Sequence, residues 1–110
     1  MSGGWKKDFR IHETGDYVIK VWYRIIMSGK VRDGAKGQAV LQLDNKVRII
    51  RTLVGVKANK KQDTKYRSYV LKVHLRKGPH WLTLGGFFTD KWDKPQFVKV
   101  LYRDVHICPH

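Results

Sequence analysis

A chain of 110 residues has the length of one domain, and such a domain buries roughly 65% of its unfolded surface, enough for a core without disulfides or metals. The single cysteine, Cys108, excludes an internal disulfide framework, and no segment approaches the ~20 apolar residues of a membrane-spanning helix. With 23 lysines and arginines against 9 acidic residues, the formal net charge of +14 points to an anionic partner, such as nucleic acid, an acidic polysaccharide or a membrane surface, or else to a surface kept soluble by charge.

Residues 1–4 read as a start or linker segment, and no apolar signal-peptide run follows Met1. Residues 5–11 place Phe9 and Ile11 on one parity and Asp8 and Arg10 on the other, which predicts a weak first strand. Residues 17–25 predict a strong one, rich in β-branched and aromatic side chains. Tyr17, Ile19, Val21, Tyr23 and Ile25 form its inward set, leaving Lys20, Trp22 and Arg24 outside. A glycine-rich, charged segment over 27–37 has no period and is expected to be a loop. The next strand, 38–43, turns Ala39, Leu41 and Leu43 inward, and Asp44-Asn45 suits a tight hairpin turn into a return strand over 46–53.

Residues 55–65 carry four lysines and few apolar groups, which predicts a solvated basic loop. The clearest pattern follows, in residues 69–86. Tyr69, Leu71, Val73 and Leu75 alternate with Val70, Lys72, His74 and Arg76, then Lys77-Gly78-Pro79 breaks the chain before a second alternating run. This is expected to be a β-hairpin. A second long loop is expected over 87–96, holding Phe88, Lys91, Trp92 and Asp93. The last strand, 97–107, loses its alternation near Asp104, which predicts a bulge, and 108–110 are expected to form a tail. With no sustained helical period, the fold class is all-β: an antiparallel sandwich of about seven or eight strands with little or no helix, in one domain over 5–107.

Catalysis has little support in these residues. There is one glutamate, Glu13, with no second carboxylate in a motif beside it. The histidines, at 12, 74, 80, 106 and 110, lack metal-site spacing, and a nucleophile built from Cys108 with His106 or His110 would sit in the expected tail. No enzyme is expected. Binding has more support. Lys20, Trp22 and Arg24, then Lys72, His74 and Arg76, then Lys99, Leu101 and Arg103 alternate outward from three strands. If these strands share a sheet they form a basic face with an exposed tryptophan, where cations meet anions and an aromatic ring stacks on a sugar or base. The alternative is that the cations fill solvent positions and blunt strand edges. A second candidate is Trp92 between Lys91 and Asp93, an aromatic flanked by hydrogen-bonding groups as in sugar recognition; it could equally fold inward to cap the core.

Four pieces occur in an order that resembles the β-sandwich carbohydrate-binding modules of the galactose-binding-like group, notably families six, thirty-five and thirty-six. They are Gly15-Asp16-Tyr17 through Trp22-Tyr23-Arg24, Leu43-Asp44-Asn45-Lys46, Val73-His74-Leu75 through His80-Trp81-Leu82-Thr83-Leu84, and Asp104-Val105-His106-Ile107. The resemblance implies a jelly-roll-like sandwich, non-catalytic glycan binding, a secreted, extracellular setting within a larger protein, and a structural calcium to which Asp104 contributes. The acidic first strand that completes that calcium site in the family is expected to be absent or shortened ahead of Trp5, and the high positive charge suits uronate or sulfated glycans better than neutral ones. The leading expectation is a module that binds a polysaccharide, preferably acidic. The alternatives are a basic sandwich that binds nucleic acid or another polyanion, and a scaffold or assembly domain with an engineered charged surface.

Overall fold

The computed structural model describes residues 2–27, 34–55, 61–89 and 98–110. These form β1 (Ser2–Ile11), β2 (Gly15–Met27), β3 (Lys36–Leu43), β4 (Lys46–Val54), β5 (Gln62–Asp63), β6 (Arg67–Leu75), β7 (Gly78–Thr89) and β8 (Val98–Pro109). All pairing is antiparallel, and no helix occurs among the described residues. One sheet runs β1-β7-β3-β4; in the other, β2 is central, with β5 and β6 along one side and β8 along the other. This is the expected all-β sandwich.

The alternation read from the sequence decides which side chains are buried. Ile19, Val21, Tyr23 and Ile25 of β2 face Ala39, Leu41 and Leu43 of β3 and Leu82 and Leu84 of β7, and all are buried. Fully burying an aliphatic side chain of this kind contributes about 1.5–3 kcal/mol. Ile50, Tyr69 and Tyr102 join the two halves of this core. A Cβ on Gly37 would meet Val98 Cγ1 at 2.7 Å, so glycine there lets β3 and the start of β8 close together.

Several expectations are corrected. The segment 69–86 is not a hairpin: β6 and β7 lie in different sheets, and the chain arches between them at Gly78, whose φ is 126°. Alternation is identical for two strands side by side and for two strands facing each other across a core, so it cannot distinguish a hairpin from an arch. Among the described strands, β3 and β4 form the one hairpin between chain neighbours, with Asp44 at φ 52° in its turn. The basic segment before β6 is not wholly solvated. Thr64 is buried, its hydroxyl accepts from the Ile25 N–H (2.9 Å), and β5 pairs with Ile26 and Met27. The strand before the second expected loop continues to Thr89, and β1 begins at Ser2, which pairs with Gly86. Residues 108–110 are not a tail, since β8 extends to Pro109 and the His110 N–H donates to the Asp16 carbonyl (2.9 Å).

The bulge expected near Asp104 is present. Asp104 has φ 52°, and the β2–β8 register slips between Lys20 and Trp22. Its effect is to change parity, so that Val98, Val100 and Tyr102 point inward before it and Val105 and Ile107 after it.

Candidate functional site

The central position of β2 creates the basic face. Side chains directly across antiparallel strands share a face, so Lys72, Val18 and Cys108 form one outward row, Val70, Lys20 and His106 the next, and Ser68, Trp22 and Arg103 a third. Arg24 beside Leu101, and Ile26 beside Lys99, complete it. The structure therefore brings Lys20, Trp22 and Arg24 onto one surface with Lys72 and His74 on one side and Lys99 and Arg103 on the other.

Aromatic rings position the cations at its centre. Lys20 Nζ lies 5.6 Å from the Trp22 ring, and the Arg103 guanidinium lies 5.9 Å from Trp22 and 4.0 Å from Tyr66. Trp22 is half-buried rather than openly exposed. Its ring braces two cations by cation–π attraction, which differs from the open stacking platform expected from sequence.

Two of the expected cations already have partners. Arg24 makes a two-pronged contact with Asp63, at 2.9 Å through Nε and 2.5 Å through the terminal nitrogen, and Lys65 reaches the same carboxylate at 3.3 Å. The hydrogen bonds from Arg24 hold the Asp63 carboxyl well below the usual carboxylate range, and the same contact raises the Arg24 pKa. His74 Nδ1 meets Asp16 at 3.0 Å. Among the described residues, Lys20, Lys72 and Lys99 have no carboxylate partner, while Arg103 touches Asp104 at 3.5 Å. Lys20, Lys72 and Lys99, with Arg103, are the cations best placed to meet an external anion.

Arg76 lies off this face, at the β6–β7 corner. Its carbonyl contacts His80 Nε2 at 2.6 Å, and it borders a groove between β6 and the β3–β4 turn. Lys91, Trp92 and Asp93 fall outside the described residues. Sequence reasoning missed Asp63, which it assigned to a solvated loop, and Tyr66, which it placed in no element. An aromatic residue within an otherwise polar, basic stretch was the one available signal for Tyr66, because it precedes β6 and belongs to no alternating run.

The residues present do not fit the implied calcium site. Asp104 occupies the bulge, largely exposed and beside the Arg103 guanidinium, and among the described residues no three His, Cys, Asp or Glu side chains converge. A calcium ion requires six to eight oxygen ligands, and a guanidinium within reach of the carboxylate competes for it. The His80–Asp44 pair, at 2.7 Å, has the distance of a catalytic dyad, but the second ring nitrogen of His80 faces the Arg76 carbonyl at 2.6 Å. No family model and no curated protein matches the chain.

Proposed function

We propose that the protein is a non-catalytic binding module for an acidic polysaccharide, carried on a secreted protein and working through the outer face of β6, β2 and β8. The observation that supports this most is the diagonal line of cations across three adjacent strands, Lys72 on β6, Lys20 on β2 and Arg103 on β8. Diagonal neighbours on adjacent strands lie roughly 7–8 Å apart, so uronate or sulfate groups of an extended chain crossing the sheet obliquely would meet successive cations. Trp22 and Tyr66 hold Arg103 in position before the ligand arrives, which lowers the ordering cost of binding. The half-buried Trp22 offers an open stacking platform to neither a sugar nor a base, so recognition rests on the cations it braces. The resemblance of four strand motifs to those of sugar-binding modules supports the same reading.

Calorimetry against polygalacturonate, heparin and oligothymidylate tests this reading. Binding to at least one acidic glycan is expected, and the triple variant Lys20→Gln, Lys72→Gln, Arg103→Gln should weaken it by about tenfold to a hundredfold, from ~0.5–1 kcal/mol per exposed charge. Failure to bind any acidic glycan, or a triple variant as strong as the parent, overturns it. Oligothymidylate bound more tightly than either glycan, and lost in the triple variant, replaces it with the nucleic-acid reading.

A further inference from the structure

β4 is an edge strand, hydrogen-bonded to β3 alone. Proteins ordinarily blunt such edges with charges, prolines or bulges, because the unpaired N–H and C=O groups invite another strand. β4 carries inward charges and a slip in register, yet its regular stretch also presents two exposed apolar side chains. Val47 and Ile49 pair with Gln42 and Val40, which places them on the outer face of the sheet, where they are 60% and 56% exposed. Lys46 and Arg48 pair with the buried Leu43 and Leu41, so they project on the inner side. There they line a groove of about 580 Å³ whose opposite wall includes Leu71 and Val73 of β6. The edge is thus apolar on one face and cationic on the other, in strict alternation over residues 46–49, and the slip in register between Ala39 and Val40 ends the regular stretch.

We propose that β4 is a docking edge for an extended acidic segment of another protein, which adds to the sheet as a further strand. Residues directly opposite each other across strands decide which sequence fits. Acidic side chains of the incoming segment would lie opposite Lys46 and Arg48 and enter the groove, while apolar ones would cover Val47 and Ile49. The recognised sequence is therefore a short alternation of acidic and apolar residues. Charge argues against a second copy of this chain as the occupant. Antiparallel pairing of two β4 strands about Val47 would set Lys46 directly against Arg48 at both ends, and like charges in that position destabilise a pair. The net charge of +14 on each molecule adds to the repulsion.

Fluorescence anisotropy with a labelled peptide alternating glutamate and valine provides the test. A scrambled peptide of the same composition, with its glutamates consecutive, should bind at least about tenfold more weakly, and so should the alternating peptide to Arg48→Glu or Ile49→Lys, in line with a lost cross-strand pair and a blunted edge. The double variant Lys46→Glu, Arg48→Glu should instead capture a peptide alternating lysine and valine. Lys6→Gln, on β1 at the far edge of the same sheet, should leave peptide binding unchanged, which separates this edge from the general positive charge. Equal binding of alternating and scrambled peptides, no loss in Arg48→Glu, or light scattering showing that the protein pairs with itself through β4 overturns the proposal. Ile49 is more than half exposed, so its substitution leaves the core intact, and the charge-swapped variant supplies an independent reading.

Discussion

Both ring nitrogens of His80 face acceptors: Nε2 lies 2.6 Å from the Arg76 carbonyl and Nδ1 lies 2.7 Å from the Asp44 carboxylate. A neutral imidazole has one N–H, so one of these contacts would set a lone pair against an oxygen, whereas the imidazolium satisfies both. Burial beside Phe9 opposes the charged form, yet the hydrogen bonds to Arg76 and Asp44 prevail and raise the His80 pKa. The folded protein therefore holds this proton more tightly than the unfolded chain does. His80 contributes its full stabilisation below the ordinary histidine pKa of about 6.5, and the contribution is lost as pH rises through the folded value. Urea midpoints measured across that range should fall with rising pH, and the fall should be shallower in His80→Gln. Equal slopes in the two proteins would show that His80 is neutral in the fold. Asp104 gives a second prediction at this scale. Its φ of 52° suits glycine better than any branched residue, so Asp104→Gly should keep or slightly raise the thermal midpoint while Asp104→Val lowers it. Calcium and a chelator should give the same midpoint for the parent protein.

Among the elements, the pairing of β3 with β4 slips by one residue at Ala39 and Val40, and the extra residue, Ile50, packs against the core. Tyr102 reaches across from β8 to this point. Its hydroxyl accepts from the Val40 N–H at 3.0 Å and lies 2.5 Å from the Gly85 carbonyl and 3.2 Å from that of Val40. Burial pushes the phenol up to about 12, so it remains a donor throughout the neutral range. Tyr102→Phe keeps the ring and strips the Val40 amide and the Gly85 carbonyl of this partner. It should cost about 1–3 kcal/mol, read as a lower urea midpoint with an unchanged slope. No sequence pattern announced this contact, since a tyrosine at an inward position reads simply as core. The strands themselves were legible for the opposite reason: burial on one face imposes period two, and Ile19, Val21, Leu41 and Leu43 obey it without exception. Which strands become neighbours was not legible, because β6 and β7 show the same alternation in an arch as in a hairpin. Asp63 was missed because its role comes from Arg24, which is distant in sequence and adjacent only through β2 and β5.

Across the whole molecule, the two outer faces differ at their centres. The middle of the β6-β2-β8 face carries lysines and arginines, whereas Gln38, Gln42, Thr83, Val47 and Ile49 occupy the outer face of β7, β3 and β4, whose charges lie at the margins, on Lys36 and on Lys6, Asp8 and Arg10 of β1. Alternation predicted the basic face once β2, β6 and β8 shared a sheet, and that sharing is a property of topology. The same topology has a consequence for how the chain reaches its folded state. Among the described strands, β2 is the second in chain order and lies at the centre of its sheet, while β8, which covers one of its long edges, comes about 70 residues after it. During synthesis the edge of β2 that receives β8 stays unpaired until residues 98–109 have emerged, and among the described strands the β3–β4 hairpin is the one pairing between chain neighbours. Chains dominated by such distant pairings fold in roughly milliseconds to seconds rather than microseconds. Over that interval the repulsion among the many cations of the unfinished chain works against edge-to-edge aggregation, a protective role for charge that operates before any ligand is met.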